Sequence, residues 1–142
     1  MRTRLLADHA QGVRVATLAS MLLIAGVLMV LLGIGHSILG ERYVVGWLLE
    51  RDELPPMKGG RAVAAGTIRF AWHVTSLLAI AIGVALALFG FDASPQAIVG
   101  SIGGMLLLCA LLPIVYTRWR HPSWVIFVVS GGLCLIWSFI GA

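Results

Sequence analysis

Four stretches of the chain run without a formal charge: Val15 to Gly40, Phe70 to Phe91, Gln96 to Tyr116, and Pro122 to the C-terminus. About 20 apolar residues in a helix cross roughly 30 Å of hydrocarbon. The pattern therefore predicts four transmembrane helices at about 15–39, 68–91, 96–116 and 122–141. Met1-Arg-Thr-Arg-Leu-Leu with Arg14 imitates the basic start of a signal peptide. The apolar run that follows is too long for a signal h-region and leads to no A-x-A-like site, so a retained helix is expected.

Only the connection between the first two runs is long. Within Glu41 to Glu53, Tyr43, Val44, Trp47 and Leu48 recur at helical spacing, while Glu41, Arg42, Glu50, Arg51 and Glu53 fall mostly elsewhere on the wheel. This predicts a short interfacial helix, from Leu39 to about Glu53, with its aromatic face among the head groups. Pro55-Pro56 would end it, and Met57-Lys-Gly-Gly-Arg reads as a flexible return. Asp92-Ala-Ser-Pro and Thr117 to His121 read as compact turns. The expected fold class is all-α: an integral membrane four-helix bundle with a short interfacial helix, one transmembrane domain over residues 1–142.

Composition agrees. With 60% hydrophobic residues, 11% charged and a mean hydropathy of +1.00, the chain has too little polar surface to cover a water-soluble globule. The net charge of +4 could suggest nucleic acid in another setting, but here the basic residues flank apolar runs and anchor helices among head groups. A nucleic-acid partner is not expected. Of the ten Lys and Arg, Arg2, Arg4 and Arg14 lie on the side of the termini; the other seven lie on the side of the 1–2 and 3–4 connections. Basic residues favour the cytoplasmic face, which places those connections inside and both termini outside.

Helices associate in lipid through small residues and interhelical hydrogen bonds. Gly26, Gly33 and Gly40 form one stripe on the first span, and Ser76, Ala79, Gly83 and Ala87 form another on the second. Gly100 and Gly104 mark the third span; Ser130, Gly131 and Gly132 mark the fourth. Pro113 is expected to kink the third span near its end. Cys109 and Cys134 lie mid-span without a ligand spacing and read as small packing residues.

Ionisable groups inside a membrane are costly and are candidate functional sites. His36 shares the first glycine stripe; Arg69, Trp72, His73 and Ser76 share one face of the second span. His121 opens the fourth span at the same end, so that His36, His73, His121, Glu41, Arg69 and Arg120 collect near one surface. Besides a proton or small-solute path, two readings follow. In one, His36 and His73 join helices by hydrogen bonds to Ser37, Ser76 or the backbone. In the other, His36, His73, His121 and Glu41 hold a transition metal, or His36 and His73 hold the iron of a haem b with Arg69 or Arg120 on its propionates. His36 and His73 are expected to face one another across spans 1 and 2.

The patterns H-S-x-L-G-E-R at His36 to Arg42, A-W-H-x-x-S at Ala71 to Ser76 and R-H-P-S-W at Arg120 to Trp124 together resemble small four-span bacterial membrane proteins that have no established activity. The resemblance implies a multi-pass protein of the bacterial inner membrane. No Ser/His/Asp set, nucleotide loop or paired carboxylate lies inside the spans, so an enzyme is not expected. The preferred function is an accessory or structural component, in contact with the bilayer and with itself or a larger membrane complex. The alternative is a haem- or metal-binding redox protein.

Overall fold

The computed structural model describes the backbone of residues 2–51, 54 and 56–141. All its regular structure is helical: α1 (Arg2–Gly40), a π-helical segment (Glu41–Val45), α2 (Gly46–Leu49), α3 (Gly60–Gly90), α4 (Pro95–Thr117) and α5 (Ser123–Ile140). Four of these helices are long and apolar enough to cross a membrane.

The helices outrun the charge-free segments. α3 begins at Gly60, ahead of Arg69, because Val63, Ala64 and Gly66 are buried there and prolong the packed face. Its start needs glycine, since Gly59 and Gly60 take φ of 108° and 78°. Ser94 opens α4 by accepting from Ala97 N–H at 3.2 Å, with Pro95 at the first helical position. α4 runs through Pro113 and ends in two left-handed residues, Arg118 (φ 50°) and Trp119 (φ 66°).

The segment expected as an interfacial helix is helical, but it follows α1 without a break. Gly40, Val45 and Gly46 all keep right-handed helical angles, and α2 stops at Leu49. Asp52, Glu53 and Pro55 lie outside the described residues. The π segment widens one turn of this rod, and Val45 within it is fully buried.

Packing follows chain order: α1 on α3, α3 on α4, α4 on α5. Among the described residues α5 makes no extended contact with α1. The four helices thus form an open row. Long apolar side chains point outward along it, Leu28, Leu31, Ile82, Ile126 and Leu133 among them, as lipid requires. The contacts depend on small residues. Gly26 and Gly83 meet backbone to backbone: a Cβ on Gly26 would lie 2.7 Å from Gly83 O, and one on Gly83 would lie 2.6 Å from Gly26 O. On α4 and α5 the partners are Gly103 and Gly131, while Gly104 and Gly132 face open space. Both cysteines are free, Cys109 buried and Cys134 half-buried.

Candidate functional site

The end of α1 and the first half of α3 carry the polar side chains that matter. Gly33 and Gly40 bring the two backbones close: a Cβ on Gly33 would lie 2.6 Å from Ser76 O, and one on Gly40 would fall inside the Trp72 indole. At that separation short side chains can bridge. His36 Nδ1 lies 2.9 Å from Ser76 Oγ, and Ser37 Oγ lies 2.8 Å from His73 Nδ1. Each helix therefore offers one histidine and one serine, and the two pairs cross the interface in opposite senses. Trp72 completes the contact, donating from Nε1 to His36 O at 3.0 Å while its ring stacks on the His36 imidazole at 4.4 Å and 4°.

Toward the membrane end the network becomes ionic. Arg69 reaches Glu41 Oε1 at 2.8 Å, and His73 Nε2 lies 3.3 Å from Glu41 Oε2. The second contact is within ion-pair range but lacks hydrogen-bond alignment, and Glu41 Oε2 and Arg69 Nε are buried atoms without a hydrogen-bond partner. Glu41 sits on the π segment, and π turns are often found at functional sites. Tyr116 of α4 covers the other side of His73, ring centroids 5.9 Å apart. Ser37, Ile38, Glu41, Arg42, Arg69, His73 and Tyr116 line an open cleft of about 600 Å3. Arg69 and Glu41 are each about one-third exposed, 34% and 36%, so their pair is worth at most about 1 kcal/mol.

The remaining candidates lie apart. His121 sits in the turn between α4 and α5, its Nδ1 2.9 Å from Ser123 Oγ and its backbone N–H on Thr117 Oγ1 at 3.1 Å. Its ring meets the edge of Phe70 at 4.8 Å. Arg120 lines a separate cleft with Arg118, Ala62, Val63, Tyr116 and Thr117. His9 is exposed on α1. Among the described residues no three His, Cys, Asp or Glu side chains converge as a metal-holding group. The backbones of α1 and α3 are in close contact at Gly33, one turn before His36. The Nδ1 atoms of His36 and His73 are engaged by serines.

Sequence reasoning placed His36, His73, Arg69 and Glu41 at one interface and named Ser37 and Ser76 as partners. It missed the double use of Trp72 and the cover from Tyr116. The first had a signal, since Gly40 leaves space for a ring on the facing helix. The second had none, because it depends on how α3 meets α4. No protein-family model matches this chain, and no curated protein or solved structure is significantly similar to it.

Proposed function

We propose that this is a small non-enzymatic membrane protein, an accessory or structural component that works through helix contacts with copies of itself or with a larger membrane complex. The observation that supports this most is the crossed pairing of His36 with Ser76 and Ser37 with His73. These four side chains hold α1 on α3, and the open row leaves the outer faces of α1 and α5 for other partners. On this reading the protein belongs to a bacterial inner membrane with the basic connections in the cytoplasm. Tyr43 and Trp47, which carry the guanidinium groups of Arg42 and Arg51 at 5.5 and 4.2 Å from their ring centroids, would lie at head-group level.

Two measurements test it. Photo-crosslinkers in place of Leu28 and Ile136, on the exposed faces of α1 and α5, should give discrete protein adducts in native membranes; adducts to lipid alone would sink the proposal. Reporter fusions at Ala142 and Lys58 should report opposite compartments. The same compartment for both would overturn the four-span topology. Protein purified in detergent should also be colourless, and a Soret band lost in His36→Ala or His73→Ala would replace this reading with the haem alternative.

A further inference from the structure

Arg118 and Arg120 border a cleft between the start of α3 and the end of α4. The guanidinium of Arg69 is neutralised by Glu41 at 2.8 Å. Arg118 and Arg120, by contrast, have no ion pair or hydrogen bond from their side chains to any described residue. They border a cleft of about 240 Å3 whose other walls are Ala62, Val63, Tyr116 and Thr117, with no carboxylate among its lining residues. Both arginines are exposed, and neither meets a carboxylate among the described residues.

The backbone holds them in place at some conformational expense. Arg118 and Trp119 both adopt left-handed angles, a conformation that residues with a Cβ disfavour. Thr117 fixes the turn: its buried hydroxyl donates to Pro113 O at 2.5 Å and accepts from His121 N–H at 3.1 Å. Non-glycine residues held in such angles are found at ligand clamps. The depth of the cleft is marked by the adjacent Trp119, 61% exposed and edge-on to Trp124 at 5.2 Å. Exposed tryptophans at the ends of spans sit at the head-group layer.

We propose that this cleft binds the phosphate of an anionic phospholipid, with Arg118 and Arg120 donating to the phosphodiester oxygens and the acyl chains in the surrounding bilayer. Guanidinium groups suit phosphate because their paired N–H donors match its oxygens. Basic pockets between spans are known to hold anionic head groups. Free phosphate offers the same chemistry without the chains, and the two sources are separable.

Native mass spectrometry of the detergent-purified protein, titrated with phosphatidylglycerol or phosphatidylcholine, tests the assignment. The wild type should bind one phosphatidylglycerol in preference to phosphatidylcholine. R118Q/R120Q should weaken that binding about 25-fold, roughly fivefold per arginine, and R118K/R120K should fall between the two. R42Q/K58Q removes the same charge from the same end and should change affinity less than about threefold. Equal losses in the two glutamine variants would overturn the site in favour of general surface charge. Displacement of the lipid by millimolar inorganic phosphate would overturn the lipid as its occupant. Retention of helicity is checked by circular dichroism, and should R118Q/R120Q fail to fold, the lysine variant carries the test, unchanged affinity in it refuting the bidentate contact.

Discussion

Gly83→Leu is expected to separate α1 from α3 and to destabilise the protein by about 3 kcal/mol, near the upper end of what overpacking costs. The reason is the identity of the atoms it would strike. A Cβ at Gly83 would stand 2.6 Å from Gly26 O, 2.8 Å from Val30 Cγ2 and 3.0 Å from Val30 N. Two of these are backbone atoms, which cannot rotate aside as a side-chain tip can. Gly104→Leu is the control, because a Cβ there meets nothing within 4 Å. It should change stability by less than about 0.5 kcal/mol. Reversible unfolding in mixed micelles would measure both, and equal stability of the two variants would contradict the backbone apposition of α1 and α3.

The same pair of glycines illustrates what could be read in advance. Gly26, Gly33 and Gly40 recur every seven residues, close to two helical turns, so a continuous stripe on one face of α1 was legible from spacing alone. Ser76 and Gly83 on α3 obey the same rule, and the two stripes do meet. On α4 the rule gave the wrong partner for Gly100. A glycine pair four residues apart suggested Gly100 and Gly104, whereas α5 rests on Gly100 and Gly103. In a helix apolar on all sides, residues three and four apart lie on adjoining rows, and only the partner helix selects between them.

The ends of elements were least legible, for a related reason. Charge marks where hydrocarbon stops, not where a helix stops, so α1 and α3 run on past Arg14 and Arg69. Helical spacing over Tyr43 to Leu48 correctly gave a helix. It could not reveal that Glu41–Val45 joins it to α1 through a π turn, because widening one turn is decided by what the turn packs against. Similarly, the collection of His36, His73, Glu41 and Arg69 at one end followed from depth along the spans. His121 shares that depth but belongs to the turn that closes α4 on α5, where Ser123 and Thr117 engage it. Depth alone does not fix lateral position.

His36→Ala should destabilise the protein by about 2 kcal/mol: roughly 1 from the lost hydrogen bond and about 1 from the stacked ring. The bond in question is the 2.9 Å contact with Ser76, and the stack is the parallel contact with Trp72 at 4.4 Å. A double-mutant cycle separates these contributions. His36→Ala and Ser76→Ala remove the two ends of one bond, so their effects should be non-additive by about 0.6 to 1.7 kcal/mol, the range for interhelical hydrogen bonds in membranes. Ser76→Ala leaves the stack on Trp72 in place and should therefore cost less than His36→Ala. The second pair gives an independent cycle, since Ser37 and His73 bridge the same interface from the opposite helices at 2.8 Å. Combining Ser76→Ala with Ser37→Ala cuts both bridges while keeping both imidazoles. If the histidines act by joining helices, that serine pair alone should loosen α1 from α3, seen as faster hydrogen exchange in the last turns of α1. If they act as ligands, removing the serines would leave the fold intact, and a null result in both cycles would reject the helix-joining role.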